Sequence, residues 1–183
     1  MSDRARWGTT LLAPLLITAM AAGGVAAGWV VIGPTGPVFA AVTQGFLLAW
    51  AALGFPHRCE IPDWGWLRVR RWEPRLYAGV GVELFGTVLD LIGWNRVVTA
   101  ERGFDGTRRG LGILDQHTRR SEIGHSAGMV ISVGLAIAAM VWGSWVGALW
   151  LVGLAMPVHL YPAWLQRLVR ARIQALQQRI AMR

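Results

Sequence analysis

The feature that most constrains this chain is its long stretches without a charged residue. Residues 8–32 form the first of these, and it is 25 residues long. At 1.5 Å per residue a helix of that length measures about 37 Å, which exceeds the roughly 30 Å hydrocarbon core of a bilayer. It is also longer than the apolar region of a secretory signal peptide, which holds about 7–15 residues. We therefore predict a retained transmembrane helix here.

Further apolar stretches predict the rest of an all-α membrane bundle. Proline and glycine between residues 33 and 37 predict a turn after the first helix. Residues 123–166 carry no formal charge and contain a Trp-Gly-Ser-Trp sequence that divides them into two helices. We predict one membrane domain over residues 1–183, with four transmembrane helices and an amphipathic C-terminal helix. These are predicted at 8–32, 38–55, 123–142 and 145–163, with the amphipathic helix at 166–183.

The segment between the second and third spans, residues 56–122, has a different composition. It carries eleven of the arginines and alternates them with tryptophan and leucine, which is typical of a segment at the membrane interface. Residues 76–94 are mostly apolar but include Glu83 and Asp90, which would be costly in the bilayer centre. We predict an interfacial or re-entrant helix there and a loop over residues 103–112.

The charge pattern predicts how the chain is oriented. All eighteen basic residues are arginine, against ten acidic residues, which gives a net charge of +8. With four spans, every arginine falls on one side of the membrane, so both termini should be cytoplasmic. The arginine-only usage indicates a bacterial source, and we expect a multi-pass protein of the inner membrane in contact with membrane lipids. Since the arginines follow topology rather than forming a basic module, we expect no nucleic-acid partner.

No pattern in the sequence indicates a metal site or a bound cofactor. Cys59 is the one cysteine, which excludes an intramolecular disulfide. The four histidines show no zinc-site spacing, and glycine-rich phosphate loops and nucleophile elbows are absent. We therefore expect a protein that works without a metal or cofactor.

The strongest candidate for chemistry is the pair Glu122 and His125 at the start of the third predicted span. Residues three apart on a helix share one face, so a carboxylate at Glu122 could hold one nitrogen of His125. The other nitrogen would then be available as a general base toward a hydroxyl. The alternative is an ordinary helix start, with the acid placed favourably in the first turn.

Two further polar groups are candidates for substrate binding. Prolines at positions 157 and 162 surround His159 and Tyr161, where an irregular backbone would direct polar groups into a cavity. The arginines that follow, and those before the apolar segment at 76–94, could bind phosphate or carboxylate. They could equally be interface anchors. The candidate residues are Arg120, Gln166, Arg167, Arg170, Arg172, Arg71, Trp72 and Glu73.

Three sequence blocks resemble one family of small bacterial membrane proteins, the glycosyl-4,4'-diaponeurosporenoate acyltransferases. The blocks are Arg-Trp-Glu-Pro-Arg-Leu-Tyr at 71–77, Thr-Arg-Arg-Ser-Glu-Ile-Gly-His at 118–125, and Pro157 followed by Gln-Arg-Leu-Val-Arg-Ala-Arg at 166–172. They resemble the family patterns R-x-W-E…Y, T-R-R-A-E-x-x-H and Q-R-Y-N-R-x-R. Their order and spacing agree over roughly residues 66–175.

The resemblance implies an enzyme that esterifies a hydroxyl of a lipophilic carotenoid or other terpenoid glycoside with a fatty acyl chain. Under this hypothesis His125 is the general base, Glu122 fixes its tautomer, and Arg120 or Arg167 steadies the developing oxyanion. Acyl-CoA or a similar acyl donor is the second substrate.

An alternative from a different class stays open at this point. Small size, eleven tryptophans and glycine-rich spans also suit a non-catalytic helical subunit of a larger membrane complex. Gly143 and Gly147 provide a weak helix-association signal for such a subunit.

Overall fold

The computed structural model describes residues 3–54, 60–94 and 107–182. Within these ranges every regular element is helical and no strand occurs, which confirms the predicted all-α class for the described part of the chain. In chain order the helices are α1 (Asp3–Val31), α2 (Pro37–Leu53), α3 (Glu73–Gly79), α4 (Val82–Leu91), α5 (Arg108–Val141), α6 (Trp145–Ala155) and α7 (Tyr161–Ala181). A 3-10 turn at Gly65–Leu67 precedes α3, and a π-helical turn at Met156–Leu160 joins α6 to α7.

Within the described ranges, three stretches of helix are long and apolar enough to cross a membrane. They are Leu12–Val31, Gly110–Val141 and Trp145–Ile180, and α2 is apolar but only 17 residues long. The chain is therefore a membrane protein, and the count of four spans stays a prediction.

Two predicted segments differ from the structure. The loop predicted over 103–112 is wrong from residue 108 onward, because α5 begins at Arg108. Residues 103–106 of the predicted loop lie outside the described ranges. The Asp-Gly sequence at 105–106 and the Arg-Arg-Gly sequence at 108–110 suggested a loop, but residues 108–110 lie in the first turn of α5. The apolar segment 76–94 is divided between α3 and α4 by Gly81, which adopts φ +79°. Its position at the interface stays a prediction.

The described contacts group the chain into two compact units, of which unit 1 comprises Met1–Cys59 and Gly124–Leu160. Four of the six buried residues in its core are alanine, and such small side chains let helices approach closely where lipid gives no hydrophobic driving force. Trp29 packs edge-on against Phe39, with ring centroids 5.6 Å apart. The buried residues of this core are Phe39, Ala40, Ala136, Ala139, Ala148 and Leu151.

Two polar side chains inside unit 1, Gln44 and Ser132, are paired across helices. Gln44 on α2 donates to Ser132 Oγ on α5 at 3.2 Å and to the Leu151 carbonyl on α6 at 3.1 Å. Ser132 is completely buried, as is appropriate for a hydroxyl whose hydrogen bonds are satisfied inside the protein. These bonds join α2, α5 and α6.

Unit 2 comprises Glu60–Ile123 and Tyr161–Arg183. Its apolar core is formed by Tyr77, Val82 and Leu168, so that α3, α4 and α7 pack together. Tyr77 stacks on Trp164 with ring centroids 5.6 Å apart, and the Tyr161 hydroxyl donates to the Val80 carbonyl at 3.0 Å. The rest of the unit is organised by charge, as described below.

We expect Gly147→Ala to destabilise unit 1. A methyl group at Gly147 would collide with the Pro34 carbonyl and lie 2.6 Å from Ser144 Oγ, which itself donates to that carbonyl. Overpacking of this kind costs about 1–3 kcal/mol. Thermal unfolding of the purified protein in detergent micelles should show a lower melting temperature.

The matched control is Gly153→Ala on the same helix. No heavy atom lies within 4 Å of the methyl group it would add, and alanine is the better helix former. Its melting temperature should equal or exceed that of the wild type, and an equal loss in both variants would contradict the packing argument.

Candidate functional site

Residues from all three sequence blocks meet in unit 2. Glu73 lies on α3, Glu122 on α5, and Arg167 and Arg170 on α7, one helical turn apart. All four belong to the predicted site. Each is largely or completely buried, with Arg170 0% exposed and Glu122 3% exposed.

Arg167 lies between the two carboxylates. Its Nε and one terminal nitrogen bind Glu73 at 2.7 and 3.0 Å in a bidentate arrangement, and its other terminal nitrogen binds Glu122. The two remaining N–H groups donate to the carbonyls of Trp66 and Arg68 at 3.2 and 3.3 Å. All five guanidinium donors are therefore used within the protein.

Arg170 binds the other oxygen of Glu122. The terminal nitrogen of Arg170 that makes this contact also donates to the Leu67 carbonyl at 2.8 Å. Nε of Arg170 donates to the Thr118 hydroxyl at 3.3 Å. Both oxygens of Glu122 are thus bound by arginine. The role predicted for Glu122, holding the His125 ring, stays a prediction.

These contacts form part of a longer series that we call the arginine–carboxylate chain. Neighbouring members carry opposite charge and lie 2.5–3.8 Å apart throughout. Four arginines and four carboxylates make it electrically neutral. In order, its members are Arg68, Asp63, Arg119, Asp115, Arg170, Glu122, Arg167 and Glu73.

One end of the chain is exposed and the other is buried. Asp63 and Arg68 are 48% and 69% exposed, and hydrogen bonding to Arg68 holds the pKa of Asp63 below its usual value. At the buried end, desolvation opposes ionisation of Glu73. Hydrogen bonds from Arg167, the Arg70 backbone and Tyr77 outweigh it and lower the pKa of Glu73. Burial and the hydrogen bond to Glu73 raise the pKa of Tyr77 to about 12.

The remaining residues predicted to bind substrate are not part of this chain of contacts. Arg71, Trp72 and Arg172 are exposed, and Trp72 keeps 55% of its surface accessible. Arg120 is half-buried and Gln166 is buried. Arg71 and Arg172 therefore present charge at the surface, whereas Arg167 and Arg170 do not.

The catalytic candidate His125 lies in unit 1, where its side chain contacts a second histidine and the backbone carbonyl of Val158. Nδ1 of His125 is 3.3 Å from Nδ1 of His159, and the two ring planes are inclined by 55°. His159 is completely buried in the π-helical turn, and its Nε2 has no hydrogen-bond partner among the described residues.

Gly128 makes the space that the His159 ring occupies. A methyl group at Gly128 would lie 2.6 Å from Cε1 and Nδ1 of His159 and 3.0 Å from Nε2. The imidazole therefore rests directly on the backbone of α5. In the described part of the chain, no group of three or more His, Cys, Asp or Glu side chains is arranged to hold a metal ion.

Unit 1 also contains an apolar cavity of about 420 Å³ bounded by α1, α2 and α5. The polar side chain in its wall, Thr18, has its hydroxyl bound to Trp50 Nε1 and the Pro14 carbonyl. The site is therefore suited to a hydrocarbon chain. Its lining residues are Thr18, Ala21, Ala22, Val25, Ala26, Trp29, Leu47, Trp50, Ile131 and Leu135.

Sequence reasoning missed several members of these clusters. Asp115 and Arg119 are four residues apart, as are Glu73 and Tyr77, and this spacing on a helix is a detectable pairing signal. His159 was noted between two prolines, but nothing in the sequence indicated that its partner is His125, 34 residues earlier.

We expect Glu122→Gln to destabilise the protein strongly. The substitution preserves shape but removes the charge that Arg167 and Arg170 share, and Arg170 has no access to solvent. Removing one partner of a buried ion pair costs about 3–5 kcal/mol. Thermal unfolding in detergent should show a large decrease in melting temperature.

Arg172→Met provides the control, since Arg172 is exposed on the same helix as Arg167 and Arg170. Its melting temperature should stay close to that of the wild type. A Glu122→Gln protein as stable as Arg172→Met would contradict a structural role for the arginine–carboxylate chain.

The lowered pKa of Glu73 predicts a pH-dependent contribution to stability. The stabilisation is fully present above pH 4.5, which is the ordinary pKa of a glutamate side chain. It is lost as the pH falls through the lower pKa that Glu73 has in the folded protein. The melting temperature of the wild type should exceed that of Glu73→Gln at pH 7, and the difference should shrink below about pH 4.5. Glu83→Gln, at an exposed position on α4, should match the wild type at pH 7.

Comparison with known proteins indicates the family to which the chain belongs. A family model described as glycosyl-4,4'-diaponeurosporenoate acyltransferase matches residues 62–179, which is more than half of the chain. That range contains Glu73, Glu122, Arg167 and both members of the histidine pair. Comparison with curated proteins and with solved structures gave no significant match. The chain therefore belongs to the glycosyl-4,4'-diaponeurosporenoate acyltransferase family.

Proposed function

We propose that the chain transfers a fatty acyl group to a sugar hydroxyl of a lipophilic carotenoid or other terpenoid glycoside. The donor is acyl-CoA or a similar acyl thioester. The observation that carries the proposal is the position of His125, a family-block residue that lies in the apolar unit 1 with its Nδ1 against a second imidazole. Ionisable side chains at membrane depth are expensive, and those that occur there are usually functional.

His125 acts as the general base in this proposal. Its Nε2 takes the proton of the glycoside hydroxyl as the hydroxyl oxygen forms a bond to the acyl carbon. The bond between the acyl carbon and the thioester sulfur then breaks, and His125 returns the proton to the departing sulfur. The reaction yields an ester and a free thiol, with no net gain or loss of protons.

The buried ion pairs and the exposed arginines have separate roles in this proposal. We assign Glu73, Glu122, Arg167 and Arg170 to holding the family blocks together, since their charges are already paired. The exposed Arg71 and Arg172 are better suited to the phosphates of the donor, because their guanidinium groups are accessible. Arg120, Gln166 and Trp72 remain candidates for contacts with the substrates.

The apolar cavity of unit 1 supports the choice of a lipid-like substrate. Its wall of alanine, valine, leucine and tryptophan side chains offers hydrocarbon contact, and the hydrogen bonds of Thr18 are made within the protein. We assign it to the acyl or polyprenyl tail.

We place the reaction at the cytoplasmic face of the bacterial inner membrane. The support is the distribution of arginine: none lies in either short turn at 33–37 or 142–144. Under the positive-inside rule, four spans would put both termini and residues 56–122 in the cytoplasm. A soluble acyl donor would be available on that side.

We expect His125→Ala to abolish most of the acyl transfer while the protein is still made. Cells that produce glycosyl-4,4'-diaponeurosporenoate would express either the wild type or the variant, and total lipid extracts would be compared by mass spectrometry. The wild type should yield a species heavier by one esterified fatty acyl group. Loss of a general base should lower its rate of formation about 10²- to 10⁴-fold.

His117→Gln is the control because His117 is a second histidine on α5. It should retain the product. If the wild type gives the same lipids as cells lacking the protein and migrates in a larger complex, the non-catalytic subunit is the better description.

A further inference from the structure

His159 is a buried polar side chain to which the proposed function gives no role. His159 lies in the π-helical turn, is completely buried, and has its Nδ1 3.3 Å from Nδ1 of His125. Two ring nitrogens at that distance repel unless one of them carries a proton. The pair therefore contains one N–H donor and one acceptor, and the position of that proton determines what His125 can do.

We propose that His159 is the positioning residue of His125, and that it accepts the Nδ1 proton of His125. The inference rests on the proposed function, in which His125 must receive a hydroxyl proton at Nε2. A neutral imidazole carries one proton, so Nε2 is available only when that proton is on Nδ1. If His159 were the donor instead, His125 would be protonated on Nε2 and could not act as the base.

The burial of His159 argues that it is not present for stability. With its proton on Nε2, it has an N–H group that finds no acceptor among the described residues. An unsatisfied buried donor is destabilising, and an apolar ring of similar size would remove that cost. The useful atom of His159 is therefore Nδ1, which faces His125.

Packing fixes the ring in the orientation that this role needs. The backbone at Gly128 lies so close to Cε1, Nδ1 and Nε2 that no methyl group fits between them. Contact with α5 limits the movement of the imidazole, whose Nδ1 lies 3.3 Å from Nδ1 of His125. Such support by a second residue sets both the tautomer and the direction of a catalytic histidine.

The pair also helps with the charge that forms during the reaction. When Nε2 of His125 takes the hydroxyl proton, the ring becomes an imidazolium and its Nδ1–H remains directed at Nδ1 of His159. A hydrogen bond from a charged donor is shorter and roughly twice as strong as a neutral one. The bond therefore strengthens as His125 becomes protonated, which favours the transition state over the ground state.

Two substitutions of matched chemistry separate Nδ1 from Nε2 of His159. The side-chain amide of asparagine reaches the position of Nδ1, whereas that of glutamine extends about one bond further, toward Nε2. His159→Asn should keep kcat within about threefold of the wild type, because one hydrogen bond to His125 is retained. His159→Gln and His159→Phe should lower kcat by about 10- to 100-fold, as loss of an orienting partner typically does.

Stability and substrate binding provide readouts that a purely structural role would not give. His159→Phe should melt at or above the wild-type temperature, because the unsatisfied N–H is removed, and KM for the glycoside should stay near the wild-type value. Loss of activity together with a lower melting temperature in His159→Phe would instead indicate that His159 serves the fold, and would overturn the proposal.

The tautomer can be measured without any turnover. Full-length protein labelled with ¹⁵N-histidine in detergent micelles should show His125 protonated at Nδ1 and His159 protonated at Nε2. The His125 signals are identified by their absence in His125→Ala. Protonation of His125 at Nε2 would overturn the proposal even if the enzyme is active.

The design distinguishes this inference from the proposed function. A wild type without acyl transfer would remove the proposed function, since that result does not depend on His159. An active wild type whose Asn and Gln variants at position 159 have equal kcat would keep the proposed function and refute the positioning role. The predicted order, with Asn close to wild type and Gln far below it, supports both.

Discussion

A buried ion pair between Arg170 and Glu122 determines how unit 2 is assembled. A guanidinium group with no solvent access needs an opposite charge and several hydrogen-bond acceptors, or it cannot be buried. Glu122, the Thr118 hydroxyl and the Leu67 carbonyl supply the charge and the acceptors for Nε and one terminal nitrogen, from two different parts of the chain. The other terminal nitrogen has no partner among the described residues. The 3-10 turn and the helices α5 and α7 are thus held by one side chain.

Ion pairs of alternating charge continue from this buried pair to the surface of the protein. Each arginine of the chain lies beside carboxylates and each carboxylate beside arginine, so the eight charges sum to zero and none is buried alone. The contribution of each ion pair to stability decreases toward Arg68, because solvent screens the exposed pair of Arg68 and Asp63. The family blocks that look like a binding motif in the sequence are largely the internal framework of unit 2. The residues of unit 1, by contrast, place an imidazole pair among apolar helices.

The sequence was informative where one physical constraint dominates. Charge-free runs require helices in a membrane, and the all-α class and three long apolar helices follow from that constraint alone. It was less informative where charges pair over distance. The Arg-Arg-Gly sequence at 108–110 suggested a loop, and a single sequence does not reveal that Asp115, which follows it, meets Arg119 and Arg170. Helical spacing predicts contact between Glu122 and His125, but it does not reveal the two arginines more than forty residues away that bind this carboxylate.

The close approach of His159 to Gly128 also limits how this family can vary. The ring fits only because position 128 has no side chain, so the glycine cannot be replaced while the histidine is present. Relatives that keep histidine at the position of His159 should therefore keep glycine at the position of Gly128. Those that replace the glycine should carry a smaller residue in place of the histidine. Coupled substitution at these two positions would divide the family into members that retain the imidazole pair and members that have lost it.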